Sequence, residues 1–128
     1  MLEVKTETLS QQFHRQATTA SISDIARLLQ EVLSRRLTAY IAGVQNGKTV
    51  TRWANGEVTQ IRDFEVEQRL RTAYEIVLLL LTVDSYLTVR AWFIGMNPEL
   101  DEVSPAETLR EGRFKDALMA AHAFAVWG

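Results

Sequence analysis

Apolar residues recur along this chain with the spacing of helices, and no segment alternates polar and apolar residues for long enough to predict a strand. One stripe at positions i, i+3, i+4, i+7 and i+8 consists of Ile25, Leu28, Leu29, Val32 and Leu33. It predicts a helix over about residues 24–35 with Ser23 as its N-cap. The same period elsewhere predicts an all-α protein of roughly six or seven helices.

The length and composition fit a single compact unit. A chain of 128 residues with 47% hydrophobic and 23% charged residues can bury a sizeable core. The longest helix is expected over about residues 64–82, capped by Asp63, and it should be central because its second half is apolar nearly all round. The sequence predicts an N-terminal arm, mobile or partly helical (1–22), and a helix-turn-helix region (23–62), joined through the long helix to a small helical C-terminal region (63–128).

Composition also excludes several classes of protein. The chain has no cysteine, which removes disulfides, thiolate metal sites and cysteine nucleophiles, and which fits a reducing cytoplasm. The N-terminal stretch lacks the apolar core of a signal peptide, so we expect no export. The longest apolar run is six residues, 76–81, against about 20 needed to span a bilayer. We therefore expect a cytoplasmic protein that does not enter a membrane.

The net charge of −2 is unevenly distributed along the chain. Residues 27–62 carry six basic and two acidic side chains, which gives +4, whereas residues 63–128 carry six basic and eleven acidic side chains, which gives −5. Because charges are screened beyond about 8–10 Å, the positive segment can bind phosphate although the whole chain is negative.

A short helix, a tight turn and a second short helix are expected between residues 37 and 56. Residues 37–42 are predicted to be helical, residues 43–47 (GVQNG) supply turn residues, and residues 48–55 form the next helix. Gly56 is expected to end that helix in a left-handed conformation. This succession is the spacing of a helix-turn-helix.

The second of these helices has the residue types of a DNA-reading helix. Val50, Trp53 and Ala54 share its apolar face, and polar residues occupy the rest. Arginine, lysine, asparagine and threonine can contact phosphates or base edges in the major groove. The candidate DNA contacts are Asn46, Lys48, Thr51, Arg52 and Asn55. The alternative is an ordinary solvated helix in which Trp53 is only a core anchor.

No constellation of residues indicates catalysis or metal binding. His14 and His122 lie far apart in sequence, and no GxSxG, SxxK or HExxH spacing occurs. A group of carboxylates near two helix starts is interpreted as a solvated face, and it consists of Glu99, Asp101, Glu102, Glu107 and Glu111. We expect a protein that is not an enzyme and that uses no metal and no cofactor.

Ser104, Pro105 and Glu107 form a capping-box pattern that predicts a short helix stopped by Gly112, ahead of a last helix over about residues 113–126. The aromatic residues of this half are predicted to be core, namely Tyr86, Trp92, Phe93, Phe114 and Phe124. Trp127 is the exception, because a penultimate aromatic residue is hard to bury in a monomer, and docking on a partner is the alternative to burial.

Three segments of the chain carry a family likeness. They are LTAYIAGVQNGKTVTRWANGE (37–57), QRLRTAYEIVLLLL (68–81) and VRAWFIGMNPELDEVSPAETLREGRFKDAL (89–118). The last is the most specific, because it holds a tryptophan, an Asn-Pro turn, a Ser-Pro-capped helix and a glycine in that order. With these motifs the chain resembles the MbcA/ParS/Xre antitoxin family over about residues 24–128.

The resemblance implies a type II antitoxin with an Xre-like helix-turn-helix and a C-terminal region that neutralises a toxin of the RES-domain type, which consumes NAD. It implies that Arg110, Gly112, Arg113 and the final helix through Trp127 face the toxin. It also implies a homodimeric repressor that binds its own operator DNA, with Thr49 joining Lys48, Thr51, Arg52 and Asn55 on the recognition helix. The alternative is a stand-alone helix-turn-helix transcriptional regulator without a toxin partner.

Overall fold

The computed structural model describes residues 7–127, and for Trp127 it describes the backbone only. Within these residues the protein is all-helical, as predicted, with eight α-helices and no β-sheet. The helices are α1 (Leu9–Thr19), α2 (Ile22–Leu33), α3 (Arg35–Ala42), α4 (Gly47–Ala54), α5 (Phe64–Leu80), α6 (Tyr86–Ile94), α7 (Pro105–Arg110) and α8 (Phe114–Trp127). None of these helices is both long enough and apolar enough to cross a membrane.

The predicted start and end of α2 were both wrong by two residues. Ser21, and not Ser23, is the N-cap, and its hydroxyl accepts a hydrogen bond from the Asp24 amide. At the other end Ser34 adopts φ +84°, which stops α2, and its hydroxyl accepts from the Leu37 amide to begin α3. Since one serine ends α2 and caps α3, the short helix starts at Arg35, earlier than predicted.

Helix α5 is the centre of the protein, as its apolar second half predicted. It packs against α1, α2, α3, α7 and α8. The Asp63 carboxylate caps it by accepting from the amides of Glu65 and Val66. The helix ends at Leu80, two residues before the predicted end. Its fully buried side chains include Leu70, Ile76 and Leu80, so its removal would expose most of the core.

Part of the predicted N-terminal arm is a helix that docks on α5. Ala17 of α1 is buried, and the Arg71 guanidinium of α5 donates to the Ala17 carbonyl at 3.0 Å and to the Ala20 carbonyl at 2.8 Å. Arg71 also pairs with Glu67 at 2.8 Å. Since these carbonyls belong to the end of α1 and the residue after it, one guanidinium satisfies acceptors that the helix leaves unpaired.

Replacing Arg71 with glutamine is expected to lower the free energy of unfolding by about 1–3 kcal/mol, because glutamine is too short to reach both carbonyls and leaves partly buried acceptors unpaired. Urea denaturation followed by circular dichroism measures this. The matched control is Arg15→Gln on the exposed side of α1, which should change stability by less than about 0.5 kcal/mol. Equal effects of the two substitutions would contradict the docking role of Arg71.

In the C-terminal region α7 and α8 pack against α5, whereas α6 packs against α2 and α7. Gly95 ends α6, and Asn97 caps a short 3₁₀ turn, Pro98–Leu100. The Ser104 hydroxyl accepts from the Glu107 amide at the start of α7, with Pro105 at the first helical position, as predicted. Gly112 follows α7 with φ +81°. The predicted boundaries here are correct to within a residue or two.

Not every aromatic residue predicted as core is buried. Phe93 is fully buried, and Trp92, Phe114 and Phe124 pack against the core while partly exposed. The prediction that Tyr86 is a core residue was wrong, because Tyr86 is 42% exposed at the first turn of α6. Trp127 cannot be compared with its prediction, since its side chain lies outside the described residues.

Candidate functional site

Helices α3 and α4 meet at a turn that fixes their geometry. Gly43 ends α3 with φ +83°, a left-handed conformation that favours glycine. The Asn46 side chain then caps α4 by accepting from the Lys48 amide at 2.9 Å. Gly56 follows α4 with φ +77°, as its position in the sequence predicted. The turn and both glycine stops therefore lie where the pattern placed them.

The apolar face of α4 packs into the core against α2 and α3. Val50, Trp53 and Ala54 are buried, so the face predicted from spacing is confirmed. The Thr51 hydroxyl donates to Gln30 Oε1 of α2 at 3.0 Å and is therefore engaged within the protein. These contacts hold α4 rigidly on α2 and turn its other face outward.

The candidate DNA contacts divide into two groups. Lys48, Arg52 and Asn55 are exposed, and the only ion pair that residues 7–127 offer them is a long one, 4.0 Å from Arg52 Nε to Glu57. Asn46 is exposed, but its side-chain oxygen already accepts the capping hydrogen bond from the Lys48 amide. Thr49 and Thr51 are half-buried. Lys48, Arg52 and Asn55 are thus the side chains best placed to reach a ligand from α4.

A cleft of about 610 Å³ opens beside the start of α4. We call it the basic cleft, and its lining includes Arg35 and Arg36 of α3, Tyr40, Asn46, Lys48 and, from α7, Arg110. Four of its lining residues are cationic, and among the described residues no carboxylate lines it. Sequence reasoning missed Arg35, Arg36 and Tyr40, although two adjacent arginines at the boundary between two predicted helices were a visible signal.

Arg110 reaches the basic cleft from a distant part of the sequence. Its Nη1 donates to the Tyr40 carbonyl at 2.8 Å, and its guanidinium lies 4.6 Å from the centre of the Tyr40 ring. A cation held over an aromatic face is attracted by the ring and loses mobility. The sequence-based assignment placed Arg110 with the toxin-facing residues, whereas the fold brings it beside the candidate DNA contacts.

Among the other residues assigned to toxin binding, Gly112 and Arg113 lie close to Arg110 in the sequence, whereas Trp127 lies far from them along α8. Gly112 and Arg113 lie in the turn between α7 and α8, where Arg113 pairs with Asp116 at 3.0 Å. The backbone of Trp127 lies at the opposite end of the 14-residue helix α8. At about 1.5 Å per residue, roughly 20 Å of helix separates Arg113 from Trp127.

A second exposed surface is apolar. We call it the apolar face, and it consists of Leu87, Ala91 and Ile94 on α6 and Met119, Ala123 and Val126 on α8. Each set follows i, i+4, i+7 spacing, and Leu87, Met119 and Val126 are 73%, 62% and 71% exposed. Ala91 and Ala123, one from each helix, line a common cleft of about 500 Å³. The family resemblance implied that the final helix faces the toxin, but sequence reasoning did not identify an exposed apolar surface on α6.

The carboxylates interpreted as a solvated face are exposed, as predicted. Nowhere in residues 7–127 do three or more histidine, aspartate or glutamate side chains gather as a metal site would require. His14 lies on α1, where its Nδ1 is 3.0 Å from Glu75 Oε1 of α5, so it contributes to the docking of α1.

The two candidate surfaces are therefore a cationic one, formed by α3, α4 and Arg110, and an apolar one, formed by α6 and α8. Comparison with known proteins finds no family model, no curated protein and no solved structure that matches this chain.

Proposed function

We propose that this protein is a type II antitoxin of the MbcA/ParS/Xre kind, which neutralises a RES-type, NAD-consuming toxin and binds operator DNA to regulate its own expression. The observation that carries the proposal is the presence of two chemically different exposed surfaces, one cationic and one apolar, on a single chain. A DNA-binding antitoxin needs two such surfaces.

In this proposal α3 and α4 are the helix-turn-helix, and α4 is the recognition helix. Its rigid attachment through Trp53 and Val50 supports this, because a reading helix must hold its side chains in register with the groove. Lys48, Arg52 and Asn55 would contact the major groove or its phosphates. A homodimer would present two copies of α4 to half-sites about 34 Å apart.

The toxin would dock on the C-terminal region, with α8 as the main contact. The stripe of exposed Met119, half-buried Ala123 and exposed Val126 on α8 supports this, because apolar patches rimmed by polar residues are typical of protein interfaces. The charge of −5 over residues 63–128 would suit a basic entrance to the active site of the toxin. Gly112 and Arg113, at the start of α8, would lie at the edge of this contact.

The experiment that tests the proposal is co-expression with the product of the adjacent gene. The untagged pair is analysed by size exclusion, and growth is measured with and without this protein. A stable complex and rescue of growth would support the antitoxin function. Separate elution and no toxicity would contradict it and favour a stand-alone transcriptional regulator. The apolar face is compatible with that alternative, because a second copy of the chain would also bury it.

Replacing Arg52 with alanine is expected to weaken operator binding by about 5- to 100-fold, because an exposed arginine on the recognition helix makes one phosphate or base contact. Binding to the toxin should not change, since Arg52 is not part of the surface proposed to contact the toxin. Electrophoretic mobility shift and a toxin pull-down measure the two affinities. Arg15→Ala, an equally exposed arginine of α1, is the control and should leave both unchanged. Equal loss of both affinities in folded Arg52→Ala would refute separate surfaces.

A further inference from the structure

The basic cleft concentrates positive charge beyond what the recognition helix supplies. Arg35, Arg36 and Lys48 have no ion pair or side-chain hydrogen bond with any residue of the described chain, and Arg110 has only the Tyr40 carbonyl as acceptor. All four side chains are exposed, and together they give the cleft a positive potential that attracts anions. The charge balance of the cleft therefore indicates an anionic ligand.

The geometry of the cations favours phosphate as that anion. Arginine presents five N–H donors, and Arg110 uses one of them on Tyr40, which leaves four for a ligand. The fork of a guanidinium matches the oxygens of phosphate, and a guanidinium already held by an aromatic ring loses less freedom when it binds. The aliphatic part of Arg35 lies against Gly47, where a Cβ would come within 3.2 Å of Arg35 Cγ.

The position of the cleft favours phosphates of a nucleic-acid backbone over a free ion. Asn46 and Lys48 line the basic cleft and also belong to the candidate DNA-binding surface, so the two are continuous. In a helix-turn-helix complex, the DNA backbone passes beside the helix that precedes the recognition helix. Here that helix is α3, which carries Arg35 and Arg36.

We propose that the basic cleft binds backbone phosphates of DNA and that Arg110, from the C-terminal region, is one of the cations that contact them. The choice of DNA rests on the proposed function, whereas the phosphate chemistry rests on the cleft itself. A consequence is that DNA binding uses both halves of the chain. A protein partner that covers Arg110 therefore competes with DNA.

The test measures DNA affinity against salt concentration for the full chain and for Arg110→Gln. Each phosphate contact contributes about 0.9 to the slope of log K against log salt, so the variant should lose about one unit of slope and roughly tenfold in affinity. Arg15→Gln is the matched control, because it removes the same charge at an exposed arginine of α1 that pairs with Glu7 outside the cleft. Its slope should be that of the unmodified protein.

Each outcome bears on the proposal. If Arg110→Gln keeps the slope while Arg52→Ala weakens binding, the role of Arg110 is refuted and the proposed DNA binding stands. If Arg110→Gln fails to fold, Arg36→Gln in the same cleft is measured instead. An unchanged slope in that variant refutes phosphate binding by the basic cleft.

If the unmodified protein binds no duplex, thermal melting with inorganic pyrophosphate tests whether the basic cleft binds phosphate at all. Stabilisation that Arg110→Gln abolishes would assign the cleft to free polyphosphate and contradict the proposed DNA binding, whereas no stabilisation would refute both.

Discussion

Replacing Trp53 with alanine is expected to lower the free energy of unfolding by about 3–5 kcal/mol, the usual cost of removing a large aromatic side chain from a core. Trp53 is only 5% exposed and lies on the inner face of α4. Because α4 is eight residues long, it has little stability of its own and depends on this packing. Chemical denaturation measures this change in the free energy of unfolding. Far-ultraviolet circular dichroism is the signal, because it reports loss of helix and does not depend on the substituted tryptophan.

DNA binding should fall with stability in this variant, to below detection at concentrations where the unmodified protein is saturated. Trp53→Phe is the control, because it keeps an aromatic ring in the site and should retain most of both properties. A loss of less than about 1 kcal/mol in Trp53→Ala would contradict the placement of α4 in the core. Full stability together with lost DNA binding would instead show that the indole itself contacts the ligand.

Local patterns predicted α4 well because its constraints are close together in the sequence. The spacing of Val50, Trp53 and Ala54 defines its buried face, and Gly43 and Gly56 mark the ends of α3 and α4 by their conformational freedom. The boundaries of α2 were less predictable. Ser21 and Ser23 are equally good caps by residue type, and only packing of Ile22 into the core selects the earlier one.

The parts of the site that sequence reasoning missed depend on contacts between distant residues. Arg110 and Tyr40 are 70 positions apart. The spacing of apolar residues within each helix does not predict that α7 packs against α3. The hydrogen bond from Thr51 to Gln30 is similar, since its acceptor lies on another helix, 21 positions earlier in the chain. Charge counts along the chain located the basic segment, but they assigned Arg110 to the acidic half.

The apolar face illustrates a different limit of sequence patterns. Leu87 and Ile94 of α6 have the same composition and spacing as buried residues, and hydrophobicity alone predicts burial for both. Which side of an apolar helix lacks a neighbour depends on how many elements are available to cover it. Here α6 and α8 lie at the edge of the bundle, and nothing within residues 7–127 covers their outer sides.

Replacing Met119 with glutamate is expected to abolish rescue of growth and to weaken toxin binding by at least about tenfold, because a carboxylate cannot be buried in an apolar contact without a partner. Met119 is 62% exposed at the middle of α8, so the fold should tolerate the change. Affinity is measured by titration with an inactive toxin, and folding by thermal melting. Gln60→Glu adds the same charge at an exposed residue outside the apolar face and is the matched control.

Met119→Glu also distinguishes toxin binding by the apolar face from contact between two copies of the chain. The antitoxin and the stand-alone regulator both need it covered, the first by a toxin and the second by another copy of the chain. Sedimentation of Met119→Glu in the absence of toxin therefore discriminates between them. If the variant remains a dimer but loses toxin binding, α8 is the toxin contact. If it becomes monomeric yet still rescues growth, the apolar face joins two copies, and the toxin must bind at the turn of Gly112 and Arg113 instead.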